Sequence, residues 1–408
     1  MTTKPIVQKY GGTSVATTDH IMRVAERIVR RLKRSGQPIA VVVSAMGKTT
    51  DQLAELAGQI TQKPDPREYD MLLTTGEQVT ISLLVMALHE LGQAAESFTG
   101  AQAGISTDDG HGCARIVRVD PVRVKSALDD GKVAVVAGFQ GLGQNGEITT
   151  LGRGGSDTTA VALAEALGAE QCEIYTDVEG VYSGDPRHIL RARKLDQICY
   201  DEMLELASVG ARVLHNRSVE YAKKHGVKII VRSSFTESPG TLVSEEVGNM
   251  ESVLVRGVAL TGDEARVNIE GLPDRPGVAS RIFETLANES VNVDMIVQSV
   301  GHGNKNDISF TVDSSQLRQV LYIAERVATD LGADRVTHDE NIAKVSVVGV
   351  GMRTHSGVAA KMFKALADAE INIQMISTSE IKISCVVEHD KGEKAAVALH
   401  TAFGLDTE

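Results

Sequence analysis

The chain has 408 residues, too many for one ordinary core, and its length calls for two or three domains. Apolar residues make up 42% and charged residues 24%, with no Trp, so the core must be built from Ala, Val, Ile and Leu, which favours α/β layers over an aromatic-rich sandwich. The net charge of −12 excludes a global attraction to nucleic acid or anionic lipid, and an anionic ligand would need a local focus of cations.

From the N-terminus, Met1 to Lys9 has no apolar leader core, and no apolar run approaches the length of a membrane span. Cys113, Cys172, Cys199 and Cys385 are far apart, without a C-x-x-C pair to suggest zinc or a disulfide framework. A reduced cytoplasmic setting is the expectation. Pro5 to Tyr10 reads as a strand ending at Gly11-Gly12. Residues 19 to 34 predict a helix, with Asp19 as its cap and Ile21, Val24, Ala25, Ile28, Val29 and Leu32 on one face. Pro38 to Val43, Val133 to Ala137 and Cys172 to Tyr175 are continuous apolar strands. Such strands, separated by helices, predict a largely parallel sheet covered on both faces, with ligands at the C-terminal strand ends.

Small, polar and acidic residues over 233 to 250 mark a domain boundary. Beyond it lies an ungapped repeat at an offset of 80 residues. Gly277-Val278-Ala279-Ser280-Arg281-Ile282-Phe283 matches Gly357-Val358-Ala359-Ala360-Lys361-Met362-Phe363. Asn292-Val293-Asp294-Met295-Ile296 matches Asn372-Ile373-Gln374-Met375-Ile376. Each copy reads strand, turn, helix, strand, as duplication of one α+β module would produce.

Four segments in the first half have residues suited to ligand chemistry. In Lys9-Tyr10-Gly11-Gly12-Thr13-Ser14, two glycines permit close backbone approach, successive amides can form an anion nest, and Lys9 adds charge. In Thr149 to Thr159, Gly152-Arg153-Gly154-Gly155-Ser156-Asp157 enters a helix whose cap is Ser156 or Asp157. A helix N-terminus attracts anions, and the Arg153 fork suits a carboxylate. A capped helix after a flexible loop would require neither Arg153 nor three glycines. Tyr175 to Arg187 holds Tyr182 and Arg187, residues able to hold a nucleotide, but a surface loop explains its local sequence equally well. In Thr74-Thr75-Gly76-Glu77-Gln78, the helix dipole favours Glu77 whatever its function.

Two further patterns fail. Gly47-Lys48-Thr49 resembles the end of a P-loop, but Val42 stands where its first glycine belongs. Gly141 to Gly146 fits G-x-G-x-x-G, yet a β-like run follows where a helix is needed, and Asn145-Gly146 reads as a hairpin turn.

Taken in order, K-x-G-G-T-S, Ser44 to Asp51, T-G-E, G-R-G-G-S-D and Y-T-D-V-x-G-V-Y resemble the aspartate kinase family of the amino-acid kinase superfamily. The resemblance covers nearly the whole chain, and the ordered set is far more specific than any one motif. It implies an α/β fold: an N-terminal three-layer sandwich with a largely parallel sheet, plus two C-terminal α+β, ferredoxin-like ACT domains. The implied boundaries are 1–245, 265–340 and 345–408, with a strand at 252–262 available to complete the last module. By the same resemblance, Lys9 touches the transferred phosphoryl group. Glu77 and Arg153 hold the α-amino and α-carboxylate groups of L-aspartate. Ser44, Thr50, Gly154, Gly155, Ser156 and Asp157 line that pocket. Gly11, Gly12, Thr176, Asp177, Tyr182, Arg187 and Arg212 fall at ATP positions. Arg212 stands where the family usually has Lys, which keeps the charge and changes the donor geometry. Ala101 stands at a position often aromatic in relatives.

The implied reaction transfers the ATP γ-phosphoryl group to the β-carboxylate of aspartate, giving 4-phospho-L-aspartate for lysine, threonine and methionine biosynthesis. A carboxylate with a pKa of about 3.9 is already ionised at neutral pH, so no general base is needed. Charge neutralisation by Mg²⁺, Lys9 and amides is the task, with Asp157 orienting Lys9 or the substrate ammonium and no side-chain ligand to the metal expected. Lysine, threonine or both are the implied effectors. Their implied contacts are Asp274, Arg275, Pro276, Gly277, Val278, Ala279, Asn292, Val293, Asp294 and Gln298, with Val358, Ala359, Asn372, Ile373, Ser379 and Glu380 in the second repeat. A homodimer or higher oligomer is implied, and Met250 is placed to start a separate regulatory chain. Two rivals stand beside this reading. The Ser44 to Asp51 segment and the paired modules argue against a kinase of glutamate, N-acetylglutamate, carbamate or UMP. Intact Lys9, Arg153 and Asp157 argue against a catalytically silent amino-acid sensor.

Overall fold

The computed structural model describes residues 3–209, 213–245, 254–300, 305–353 and 355–407. The chain divides into two compact units. The first comprises Met1–Val181, Lys194–Ser208 and Arg212–Gly248. The second comprises Tyr182–Arg193, Val209–Ala211 and Asn249–Glu408.

The first unit begins β1 (Ile6–Tyr10), α1 (Thr18–Ser35), β2 (Ile39–Val43), α2 (Thr49–Ile60), α3 (Pro66–Leu73), α4 (Thr75–Glu90) and β3 (Ala95–Phe98). It continues with β4 (Ile105–Thr107), β5 (Ile116–Val119), α5 (Val122–Asp129), β6 (Val133–Ala137), β7 (Gln140–Leu142), β8 (Ile148–Thr150) and α6 (Gly155–Ala166). It ends with β9 (Cys172–Thr176), β10 (Gln197–Cys199), α7 (Tyr200–Ser208), α8 (Asn216–His225), β11 (Ile229–Ser233) and β12 (Thr241–Ser244).

The main sheet has the order β10-β12-β11-β9-β1-β2-β6-β3, and every neighbouring pair is parallel except β11 with β12. Val41, Val43 and Val135 point to one face, where Ile21, Val24 and Ile28 of α1 and Ile81, Leu84 and Leu88 of α4 cover them. Alternation along the strand sends Val7 and Lys9 to the opposite face, on the side of α6. The β7–β8 pair is an antiparallel hairpin turning at Gly146, as Asn145-Gly146 predicts.

Three expectations need correction. Thr17 caps α1: its extended backbone lets the hydroxyl accept from His20 N–H at 3.2 Å, and Asp19 lies in the first turn. Neither Ser156 nor Asp157 caps α6, whose N-cap is Gly154. The helical stretch Pro66–Glu90 is long and apolar enough to cross a membrane, with a mean hydropathy of 1.5 over its most apolar window. Half of that window is buried, and Ile81, Leu84 and Leu88 supply its apolar face to the core.

The second unit holds β13 (Gly257–Thr261), β14 (Glu264–Pro273), α9 (Val278–Asn288), β15 (Ile296–Val300), β16 (Lys305–Asp313), α10 (Leu317–Leu331) and β17 (Arg335–Asp339). It continues with β18 (Ile342–Val348), α11 (Val358–Asp368), β19 (Met375–Thr378), β20 (Lys382–Glu388) and α12 (Gly392–Ala402). Its two sheets have the orders β15-β16-β14-β17 and β19-β20-β18-β13. In the first module the fourth strand follows the module along the chain. In the second, β13 fills the corresponding place from upstream, pairing Gly257–Thr261 with Lys344–Val348.

The repeat also shapes the junction between the modules. Glu264 and Lys344 are 80 residues apart, so they occupy equivalent repeat positions, and their side chains pair directly. Asp294 adds a second carboxylate to the same ammonium. Burial opposes the Lys344 charge, but the two carboxylates overcome it and hold its pKa above the usual lysine range. Met295 and Met375, also equivalent, meet with Ile342 and Val386 in an apolar cluster.

Candidate active site

Four parallel strands, β9, β1, β2 and β6, bring their C-terminal ends together. Lys9 lies between Ile174 of β9 and Val42 of β2 in the ladder. Its ammonium is 2.6 Å from Asp157 Oδ1 in the first turn of α6, and both side chains are largely buried. A Cβ placed on Gly11 would lie 3.4 Å from Lys9 Nζ, so the charge sits against the glycine turn. The next turn is locked to it: Gly47 N–H donates to Gly12 O at 3.0 Å, and Ser44 N–H to Tyr10 O at 3.1 Å. A Cβ on Gly12 would come within 3.0 Å of Ala45 O, so the two loops approach as only glycine allows. Ser44 and Thr50 are half-buried along this second loop.

Glu77 enters the site from the first turn of α4 and is 2% exposed. Its Oε1 accepts from Ala45 N–H at 3.0 Å, and its Oε2 has no partner among the described residues. Burial pushes its pKa up to about 7, against the pull of the amide hydrogen bonds. A buried carboxylate with one open oxygen is suited to an incoming ammonium.

The glycine-rich loop reaches α6 through two left-handed glycines, Gly152 (φ 76°) and Gly154 (φ 69°). Arg153 between them is exposed, while Gly155, Ser156 and Asp157 are buried in the opening turn of α6. His215 packs directly on Gly154, where a Cβ would lie 2.1 Å from a ring carbon. Burial lowers the pKa of His215, with Asp157 opposing. Arg217 holds the base of the loop by donating to Leu151 O and, at 2.8 Å, to Ala114 O. Asp70, fully buried, accepts from Thr150 N–H at 3.0 Å, Gly112 N–H and His111, and so fixes the strand leading into the loop.

Thr176 ends β9 and Asp177 follows it, beside the end of β1, and Thr176 Oγ1 donates to Asp177 Oδ1 at 3.0 Å. Tyr182 and Arg187 belong to the second unit. Arg187 is 82% exposed and grips the Asp185 carboxylate, which its hydrogen bonds hold below the usual carboxylate range. Arg212 and Met250 lie outside the described residues.

Sequence reasoning missed Phe139, His215, Arg217 and Asp70. Phe139 stands past β6 with φ 70°, a conformation rare for a bulky residue, held by Phe139 N–H donating to Thr159 Oγ1 at 3.2 Å. No local pattern announces it. His215 and Arg217 reach the loop only through the packing of α8.

In the second unit, two cavities occupy equivalent places in the two modules. One, of about 340 Å³, is lined by Asp274, Arg275, Pro276, Gly277, Val278, Ala279 and Gln298, with Asn306. Asn306 is 5% exposed, donates to Asp274 Oδ1 at 2.9 Å and leaves its Oδ1 without a partner among the described residues. The other, of about 570 Å³, is lined by Val358, Ala359, Ser379 and Glu380, with Arg353 and His355. Arg353 Nε lies 3.2 Å from Glu380. Asn292, Val293, Asp294, Asn372 and Ile373 are not among the residues lining either cavity. The Asp294 carboxylate is engaged by Lys344.

A lysine, a glycine turn and a helix N-terminus gathered at the ends of parallel strands define a class of small-molecule phosphotransferases, and the match of residues 4–233 to the amino acid kinase family agrees. Residues 267–326 and 345–403 match an ACT domain family. An aspartokinase of Pseudomonas aeruginosa is 53% identical over 98% of this chain and 98% of its own. E. coli aspartokinase III, solved with aspartate and ADP in its R-state, superposes with a TM-score of 0.81 at 27% identity, over 98% of this chain and 99% of its own. The same protein with lysine and aspartate, in its T-state, gives 0.78 at 27% identity over 98% and 99%. The chain belongs to the amino acid kinase family and, within it, to the aspartate kinases.

Proposed function

We propose that this aspartate kinase transfers the γ-phosphoryl group of ATP to the β-carboxylate of L-aspartate and releases 4-phospho-L-aspartate. The observation that carries this reading is the Lys9–Asp157 pair at the glycine turn, with Glu77, one oxygen open, hydrogen-bonded to Ala45 in the loop locked to that turn. Glu77 takes the substrate ammonium and Arg153 the α-carboxylate. Ser44, Thr50 and the amides of Gly154, Gly155 and Ser156 hold the remaining oxygens. Gly11, Gly12, Thr176, Asp177, Tyr182, Arg187 and Arg212 serve the nucleotide. The nucleophile is ionised without help, so catalysis consists of bringing two anions together. Lys9 offsets charge on the transferred group, and Asp157 holds Lys9 in place.

No group of three or more His, Cys, Asp or Glu that could hold a metal gathers among the described residues. Mg²⁺ would be held by the ATP phosphates and water, where it would neutralise charge on the phosphates.

The domain limits that follow are 1–245, 265–340 and 345–408, with strand 252–262 completing the last. The two cavities are the effector sites, taking lysine, threonine or both, and the product enters lysine, threonine and methionine biosynthesis. E. coli aspartokinase III with bound lysine and the open Oδ1 of Asn306 support this reading. A cytoplasmic homodimer or higher oligomer, with Met250 as an internal start, completes the proposal. Ile296 and Ile376, at equivalent positions and 51% and 42% exposed, offer apolar surface for association.

The test is turnover with ATP, Mg²⁺ and aspartate, trapping the acyl phosphate with hydroxylamine, with and without lysine and threonine. Aspartyl hydroxamate is expected, suppressed by one or both amino acids. Folded protein that forms none would sink the proposal.

A further inference from the structure

The segment Tyr182–Arg193 follows the Thr176-Asp177 turn along the chain, yet it belongs to the second unit. The chain leaves the first unit after Val181 and returns to it at Lys194. The two arms of this excursion are tied together: Leu195 N–H donates to Val181 O, and Ser183 N–H to Arg193 O, each at 2.8 Å. Its far end is anchored by burial. Ile189, 3% exposed, enters the apolar core of the second module with Val258, Val347 and Leu399.

One polar pair lies inside this anchor. Ser183 Oγ, in a residue 2% exposed, is 2.9 Å from Nε2 of His400, a residue of α12 that is 1% exposed. The same oxygen accepts from Arg193 N–H at 2.9 Å, and Val258 N–H donates to Ser183 O at 2.8 Å. Gly184 packs on the same ring, where a Cβ would lie 3.5 Å from His400 Cδ2. Filling the core does not require a buried polar pair, because apolar residues of the same volume stabilise as well. What the pair adds is direction: it fixes the position and rotation of the backbone at Ser183, next to Tyr182.

We infer that Ser183 and His400 are positioning residues for the nucleotide half of the reaction, their hydrogen bond setting the backbone that carries Tyr182. This rests on the reading above that places Tyr182 and Arg187 at the nucleotide. It follows that a side chain on the last helix of the second module governs ATP binding. Aspartate binding, built on Glu77, Arg153 and the start of α6, does not depend on it.

The experiment compares ATP KM, aspartate KM and kcat for the full-length enzyme and its His400→Ala, His400→Gln, Ser183→Ala and Tyr182→Ala variants. Loss of the bond in His400→Ala or Ser183→Ala should raise ATP KM about tenfold, the scale of one hydrogen bond, with aspartate KM nearly unchanged. His400→Gln, whose amide reaches the place of Nε2, should recover most of the loss. An unchanged ATP KM in His400→Ala, or an equal rise in both KM values, would overturn the inference. If His400→Ala does not fold, Ser183→Ala, which deletes one oxygen, decides the matter by the same criteria. Tyr182→Ala separates the two layers of the argument. A raised ATP KM there beside a normal His400→Ala removes the inference alone, whereas an unchanged one removes the nucleotide reading and the inference together.

Discussion

Lys9 and Glu77 are both nearly buried ionisable groups, but only Lys9 has its charge matched by a neighbour. Lys9 meets Asp157 at 2.6 Å. Removing it in Lys9→Ala should cost roughly 3 kcal/mol in the transition state, a loss on the order of a hundredfold in kcat, read by hydroxamate formation. Near-normal turnover would remove Lys9 from the chemistry. Glu77 has a pKa raised to about 7 by burial. An unfolded glutamate titrates near 4.3, so between about 4.3 and 7 the folded chain holds a proton that the unfolded chain releases. Stability is therefore lost as pH rises through this window, and Glu77→Gln should stabilise the unliganded protein at pH 8 by roughly 2–3 kcal/mol. The same titration acts on function. Aspartate KM should rise as pH falls below about 7, because a protonated Glu77 cannot pair with the substrate ammonium. A Glu77→Gln enzyme with unchanged aspartate KM and an unchanged pH profile would refute that role.

Among the elements, the start of α6 depends most on one residue without a side chain. Gly154 has φ 69° and lies under His215, so Gly154→Ala introduces both a strained backbone and a collision with the ring. The expected outcome is a loss of about 2 kcal/mol or more and a raised aspartate KM, followed by thermal unfolding and steady-state kinetics. Gly152-Arg153-Gly154-Gly155 could be recognised in the chain as an anion-binding loop. Its cap could not: Ser156 and Asp157 were equally good by composition, but the left-handed backbone at Gly154 closes the helix start and leaves the Asp157 carboxylate for Lys9. Thr17 in place of Asp19 is the same kind of outcome, decided by backbone angles that residue type constrains only weakly.

At the scale of the molecule, the equivalence of Glu264 and Lys344 bears on how the two modules pair. Opposite charges at equivalent positions favour one module against the other, whereas either module against its own copy would oppose like charges. Lys344→Met leaves Glu264 and Asp294 facing each other without a cation and should destabilise the second unit by about 3 kcal/mol or more. Glu264→Lys with Lys344→Glu should restore much of what either reversal loses. Failure of the double reversal to recover any stability, in a thermal unfolding cycle of the four proteins, would show that pairing is set elsewhere.

The parallel sheet, the duplicated module and the loops containing Lys9 and Arg153 to Asp157 were legible along the chain, whereas Glu77 read locally only as a partner of the helix dipole. Each is signalled locally, by a continuous apolar strand, an ungapped offset of 80 residues or a glycine-rich run at a strand end. Asp294 was an effector contact by family resemblance alone. Its carboxylate faces Lys344, 50 residues away in the chain, a contact with no local signal. Phe139, His215, Arg217, Asn306 and the Ser183–His400 pair have no such signal, because each owes its place to an element distant in sequence. Backbone periodicity and turn chemistry act over a few residues, and they settled which elements form and where charge is concentrated. The burial of Glu77, the pairing of β13 with β18 and the entry of Tyr182–Arg193 into the second unit depend on close packing between remote segments, which only the folded chain establishes.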